Sequence, residues 1–383
     1  MNAADGLTEG FDRYLADVLR GEAGQWRFGA GDRGTAALWD RVLFHGIAGL
    51  LGERIGALAE WPEPLRLLVR NEAQVQAFWE ESHRGMLAEL LGALAQRQVA
   101  PMLMKGSALA YSLYAEPSSR RRGDSDLLVT KAELTATREV LVGQGFTRRD
   151  DPHGLFFQES WLLDTGIGLI HAVDLHWQPT DSPALQQVLR AEEFSARRRP
   201  LPRLSPYAAM PDPVLTFLQG SLNQAWHSAK GYLVDDERVI GGERLIWAWD
   251  NHLLANKFSD GDWHELVELA VERRVASLVL AALDLARDSL GTAVPEMVLQ
   301  RLSKALGGTD LARHLAETNR IRAFFTDLSA IQSMRDKRAF VLGHALPNSG
   351  HLRRKYPRSA GWPVALLHLR RFAESAWRLA RLR

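Results

Sequence analysis

The amino-acid sequence predicts an α+β protein, with a small mixed β-sheet core inserted between an N-terminal helical segment and a larger C-terminal helical domain. Three observations predict it. Apolar residues recur at three- and four-residue steps toward both ends of the chain, the spacing of one helix face. Between about residues 99 and 177 the pattern changes to short apolar runs bounded by Gly, Pro and Asp, which reads as strands. The 383 residues carry 46% hydrophobic and 24% charged side chains, the profile of an ordinary globular protein.

That composition excludes a disordered or collagen-like chain. The absence of cysteine excludes disulfides, thiolate metal sites and a cysteine nucleophile. The first residues, Met1-Asn2-Ala3-Ala4-Asp5, lack the basic start and apolar core of a secretory leader. No apolar run approaches the roughly 20 residues that span a bilayer. The expectation is a cytoplasmic protein.

Residues 1–98 form the expected N-terminal helical region. Leu38, Val42, Leu43, Ile47, Leu50 and Leu51 mark one stripe. Residues 64–98 carry a second, through Leu65, Leu68, Val75, Phe78, Met86, Leu90, Leu91 and Leu94. Residues 99–200 form the α/β core. Residues 99–104 read as a strand and 108–114 as a short helix. A loop holding Pro117 follows, then a strand over 124–129 and a helix over 131–144 closed by Gly145. Residues 146–150 and 154–160 read as a hairpin around Asp151-Pro152-His153-Gly154, and 168–177 as a last strand. Residues 201–383 form the C-terminal helical domain, entered through the Pro-rich stretch Pro200 to Pro206. Helices are expected over 211–223, 243–256, 263–273, 276–290, 295–306, 311–334 and 362–383. In the last, Leu366, Leu369, Phe372 and Ala376 share one face, with Leu379 or Ala380 continuing it.

The near-zero net charge of +1 is unevenly arranged. From His351 onward nine Lys and Arg face the single acid Glu374, which leaves 38 basic and 45 acidic residues in the rest. Such a tail is either a solvated helix face or a contact for an acidic partner: nucleic acid, an acidic membrane surface or an acidic patch on the body itself. The mildly acidic body argues against a long RNA footprint, while the basic tail keeps RNA tailing open.

The chemistry concentrates in Gly106-Ser107 and Asp124-Ser125-Asp126. In a strand, residues i and i+2 point to one side, so Asp124 and Asp126 share a face. Neighbouring carboxylates repel unless a cation lies between them. Mg²⁺ meets that need, with Mn²⁺ as an alternative, because it takes carboxylate oxygens together with the phosphates of a nucleotide. Gly106 lets backbone approach a phosphate, and Ser107 opens a helix whose N–H groups attract anions. Asp174 and His176 share a face of the strand over 168–177. If that strand neighbours 124–129, Asp174 completes a three-carboxylate set, as metal ligand or as general base. His176 reads equally as a nucleotide or acceptor contact and as a packing histidine. The other histidines show no zinc spacing, and neither GxSxG nor a P-loop occurs. The tryptophans at 226, 247, 249 and 263 read as helical core rather than a base-stacking platform.

Taken together, Met104-Lys105-Gly106-Ser107-Ala108-Leu109, Arg120 followed by Asp124-Ser125-Asp126-Leu127-Leu128-Val129, Gly145-Phe146 and Val173-Asp174-Leu175-His176-Trp177 resemble the bacterial "uncharacterised nucleotidyltransferase" family of the superfamily typified by DNA polymerase beta. The resemblance runs over roughly residues 90–290, with Trp249-Asp250 and Asp262-Trp263 matching its helical part. It implies that Gly106 and Ser107 bind a triphosphate, and that Asp124, Asp126 and Asp174 hold Mg²⁺. It also implies that Lys105 and Arg120 neutralise phosphate charge. Arg120-Arg121-Arg122 is a triple, so which arginine faces the site stays open. Ser125 departs from the family, which more often has an apolar residue there. The implied activity is transfer of a nucleoside monophosphate from an NTP, ATP being the expected donor, to a hydroxyl or phosphate of an acceptor: a small molecule, sugar, peptide or protein. The alternative is a non-catalytic nucleotide- or protein-binding partner on the same fold.

Overall fold

The computed structural model describes residues 3–22, 24–28, 32–149, 157–234, 237–239, 241–306, 311, 314–315, 317, 319–347 and 349–380. Helices α1 (Ala3–Arg20), α2 (Asp32–His45), α3 (Ala48–Glu53) and α4 (Glu63–Gln96) come first. Proline in the first turn opens α4, where its missing N–H costs nothing. Gln98 adopts φ +57° just past its end, and the Val99 N–H returns to Leu94 O at 3.0 Å. This left-handed turn reverses the chain into the sheet.

The sheet segment runs β1 (Met102–Met104), α5 (Lys105–Leu113), β2 (Asp124–Leu128), α6 (Leu134–Gly143), β3 (Thr147–Arg148), β4 (Gln158–Asp164) and β5 (Ile170–His176). The strand order is β1-β2-β5-β4-β3. β2 and β5 pair in parallel, and the other neighbours are antiparallel. Strands therefore stand where the short apolar runs placed them. α5 starts at Lys105, three residues before the expected helix, directly from β1. The expected hairpin forms with a shifted second arm: β3 pairs with Trp161 and Leu162 of β4, just past the expected 154–160, while Asp151-Pro152-His153-Gly154 lies outside the described residues.

Period two divides the sheet into two faces. Leu103, Leu127, Val173 and Leu175 are buried against Leu87, Leu90, Leu91 and Leu94 of α4. Met102, Met104 and Leu128 face the other way, into a core with Phe217 and Leu218 of α8 (Pro213–Lys230). Asp124, Asp126, Asp174 and His176 lie on that second face by the same alternation. The site is thus roofed by C-terminal helices and floored by the sheet.

Between β5 and α8 lie α7 (Ala191–Ala196) and a ribbon of β6 (Arg198–Pro200) and β7 (Ala209–Pro211). The boundary expected after residue 200 falls inside this ribbon. β8 (Tyr232–Val234), β9 (Glu237–Val239), α9 (Leu245–Ala255), α10 (Asp260–Glu272), α11 (Ala276–Leu290) and α12 (Glu296–Lys304) follow. A capping box of Ser259 and Asp262 opens α10. The single helix expected over 311–334 is replaced by α13 (Arg320–Ala330) and the start of α14 (Met334–Ala345). The reason is two caps: Asn319 accepts from the N–H groups of Ile321 and Arg322, and Ser333 from that of Asp336. α15 (Ser349–Lys355) and α16 (Val364–Ala380) end the described chain.

The two helical regions meet. Leu15, Leu50 and Leu51 share a core with Ile246, Ala248 and Leu290, and Arg20 Nη1 donates to Ser289 O at 2.7 Å. On α16, Leu367 is buried with Leu352 and Tyr356, whereas Leu366, Leu369 and Phe372 are exposed. No described helix is long and apolar enough to cross a membrane.

Candidate functional site

The site begins where β1 becomes α5 with no intervening loop. Lys105 makes that junction at φ +50°, a conformation costly for a residue with a Cβ. Its Nζ lies 2.6 Å from Asp126 Oδ1. Gly106 follows at the edge of the cavity. A Cβ there would stand 3.5 Å from Arg122 Cβ, an ordinary contact, so packing alone does not demand glycine.

The parallel pairing of β2 and β5 places Asp126 opposite Asp174. Ligand atoms of Asp126, Asp174 and His176 all lie within 4.8 Å of one another, so this buried group could hold a divalent cation. His176 Nε2 is 2.8 Å from Asp126 Oδ1, and Ser160 Oγ donates to Asp174 Oδ1 at 2.6 Å. Asp124, two residues before Asp126, is open to solvent through the cavity while protein surrounds it on the other sides.

The electrostatics follow from three carboxylates and one nearby ammonium. Burial works to raise Asp126, but Lys105 and His176 outweigh it and hold the carboxyl well below the usual range. Asp124 is pushed up to about 7 by burial and by the charges of Asp126 and Asp174. Asp174 is raised by burial and by Asp126, against the Ser160 hydrogen bond. Burial would lower Lys105, yet the carboxylates, Asp126 foremost, raise it. The cluster thus carries more negative charge than Lys105 balances. Carboxylate oxygens fit a hard cation such as Mg²⁺, and the imidazole of His176 adds a donor that suits Mn²⁺.

Ser107 lies elsewhere than its expected role suggests. It is buried, and its hydroxyl is 2.6 Å from Ser125 Oγ, turned into the sheet rather than lining the cavity. The departure at Ser125 has a structural reason. Ser125 Oγ also meets His83 Nε2 at 2.7 Å, His83 Nδ1 lies 3.2 Å from His171 Nδ1, and His171 Nε2 is 2.9 Å from Ser82 Oγ. Burial, then Arg122 and His171, drives His83 down to about 2, so it is neutral. A polar file therefore runs from α5 through the sheet to α4.

Among the described residues, each member of the arginine triple meets an acid. Arg120 grips Asp250 of α9, with Nη2 at 2.8 Å from Oδ2, and Tyr114 donates to the same carboxylate at 2.7 Å. Arg122 binds Glu80 of α4 at 2.7 Å. Arg121 comes within 3.8 Å of Glu72. All three arginines border the cavity, which encloses about 890 Å³. It extends from Lys105 and Asp126 to Tyr232 and Arg244, and reaches Lys355 and Arg371 of the basic tail. Trp226 and Trp247, expected only as core, line it as well. Sequence reasoning missed Arg244, Tyr232, His83 and Glu80. None sits in a short motif; only the resemblance at Trp249-Asp250 hinted that α9 reaches the site.

The fold and site define a class: a small mixed sheet presenting an acidic cation-type cluster to a cavity edged with arginine. The chain belongs to the uncharacterised nucleotidyltransferase family, whose family model matches residues 32–291. The match runs from the start of α2 to the glycine that closes α11, and so takes in helices on both sides of the sheet. No curated protein and no solved structure matches the chain.

Proposed function

We propose that the protein transfers a nucleoside monophosphate from an NTP, with ATP the expected donor, to a hydroxyl or phosphate oxygen of an acceptor. The observation that carries this reading is the register of Asp126 against Asp174, which gathers two carboxylates and His176 at one point of the cavity. Asp124, Asp126, Asp174 and His176 would hold a divalent cation, Mg²⁺ or Mn²⁺. When bound it would supply Lewis-acid polarisation of the phosphoryl oxygens. The Gly106 backbone, Lys105 and the Arg120–Arg122 stretch would receive the triphosphate. Ser107 would act from beneath, through its hydrogen bond to Ser125. Asp174, where the cation does not engage it, would take the acceptor proton. The acceptor oxygen then forms its bond to the α-phosphorus, the bond from that phosphorus to the bridging oxygen breaks, and pyrophosphate leaves with the electron pair. An NTP-consuming reaction suits a cytoplasmic protein.

The test is incubation with each α-labelled NTP, Mg²⁺ or Mn²⁺ and a cell extract as acceptor source, beside an Asp124→Asn/Asp126→Asn variant. Label transfer lost in the variant supports the reading. Nucleotide binding without transfer over many acceptors favours a non-catalytic binding protein, and label in extended RNA favours RNA tailing.

A further inference from the structure

The cavity exceeds what the carboxylate cluster needs, and its wall carries an arginine with no ion-pair partner among the described residues. Arg244, at the start of α9, is enclosed by Tyr232 and Trp247, its guanidinium carbon 5.1 and 5.8 Å from their ring centroids. Its Nε donates to Phe44 O at 2.6 Å, which anchors the stem and leaves the two terminal nitrogens. Among the described residues no carboxylate comes within 4.0 Å of it. Asp250, the acid that acts on it, is already bound by Arg120 and Tyr114. Beside Arg244, the buried Tyr232 hydroxyl has no hydrogen-bond partner among the described residues. Both groups are costly to leave unpaired. Burial, and next the charge of Arg120, pulls Arg244 down to about 10. A protein that tolerates this is built to be completed by an anion.

We propose that Arg244 and Tyr232 bind an oxyanion, phosphate or carboxylate, carried by the acceptor, so that the acceptor is an anionic molecule. This rests on the transferase reading above. Lys105 and Gly106 stand at the carboxylate end, where the donor triphosphate belongs. Arg244 lines the same cavity in reach of the charges of Arg120 and Arg121, and the charges of Lys105, Asp126 and Arg244 all act on His227. His227 stacks on Trp247 at 6.2 Å, giving the acceptor an aromatic wall next to its anionic group. About 890 Å³ lies at the upper end of single-ligand pockets, which suits a site holding donor and acceptor together.

The test uses the full chain as wild type, Arg244→Gln, Arg244→Lys and Tyr232→Phe. The donor end is filled with Mn²⁺ and a non-hydrolysable α,β-methylene ATP, and methyl phosphate and acetate are titrated separately by calorimetry. Expected is binding of at least one anion to wild type, the tighter one identifying the acceptor group. Arg244→Gln should weaken it about ten- to a hundredfold, the range for hydrogen bonds to a charged group. Arg244→Lys and Tyr232→Phe should weaken it less, and affinity for the ATP analogue should stay within about twofold throughout. The inference is overturned if neither anion binds wild type, or if Arg244→Gln weakens the ATP analogue instead. If Arg244→Gln does not fold, unchanged anion affinity in both Arg244→Lys and Tyr232→Phe overturns it. Failure of wild type to bind the ATP analogue overturns the transferase reading and with it the acceptor assignment. Intact nucleotide binding with anion affinity indifferent to Arg244 overturns this inference alone.

Discussion

Asp126 and Asp174 stand opposite one another across the parallel pairing of β2 and β5, and Lys105 Nζ lies 2.6 Å from the first of them. A slip of one residue in this register would turn one of the two carboxylates into the α4 core. The apolar pattern that buries Leu127, Val173 and Leu175 against α4 therefore also fixes the acidic pair on the cavity side.

This charge arrangement predicts metal-dependent stability. Mn²⁺ or Mg²⁺ should raise the melting temperature, because a ligand that binds only the folded state stabilises it by about 2.7 kcal/mol at a hundredfold excess over Kd. Chelation should reverse the gain. In Asp126→Asn the metal-induced shift should largely vanish. An equal shift in that variant, read by scanning calorimetry, would show that the cation binds elsewhere.

Ser125 is predicted to matter through what it joins. Ser125→Ala leaves the Ser107 hydroxyl and His83 Nε2 without their shared partner inside the sheet. Leaving a buried polar group unpaired costs about 1–3 kcal/mol, and urea denaturation should read a loss of that size. Because the two groups belong to one file, Ser125→Ala/His83→Leu should cost less than the sum of the single changes. Strict additivity would refute the coupling.

The same file predicts acid sensitivity. His83 is held down to about 2 in the folded chain, against about 6.5 when unfolded. Between those values the unfolded state binds a proton that the folded state refuses. The contribution of His83 is thus complete above about pH 6.5 and is lost as pH falls below it. The slope is up to about 1.4 kcal/mol per pH unit. His83→Gln should flatten the stability profile between pH 4 and 6.5. A variant with the wild-type slope would assign the acid sensitivity to other groups.

How much of this was legible in the sequence follows from how local each signal is. The strand with Asp124 and Asp126 announces itself through Leu127 and Leu128, and the helix after Gly106 through its apolar residues, since both patterns repeat within a few residues. Asp174 was legible as a candidate, but its partnership with Asp126 depends on strand order, which no local pattern carries. A hydroxyl beside glycine at a helix start suits an anion, so the sequence points Ser107 at a phosphate; its actual partner, Ser125, is set by how α5 crosses β2. Glu80, His83 and Arg244 come from helices distant in sequence, and their polar character reads as solvated surface until the fold buries them. The break between α13 and α14 was obscured because Phe324, Phe325 and Leu328 continue a helix-like apolar rhythm toward it, while the capping residues Asn319 and Ser333 are short polar residues common in any loop.

Arg120 and Asp250 tie the loop before β2 to α9. Both side chains are nearly inaccessible, at 11% and 7% exposure, so each counts as a buried charge in need of the other. Removing one partner of such a pair typically costs about 3–5 kcal/mol, because the survivor stays buried and unpaired. Asp250→Ala should fall in that range, enlarged by the Tyr114 hydroxyl it also abandons. Replacing both, as Arg120→Met/Asp250→Leu, removes the stranded charge and should recover much of the loss. Nucleotide binding separates the two roles of Arg120. If its guanidinium also meets the triphosphate, the double variant regains stability yet binds the ATP analogue about tenfold or more weakly, the worth of a hydrogen bond to a charged group. If Arg120 only fastens α9 to the sheet, stability and nucleotide affinity recover together.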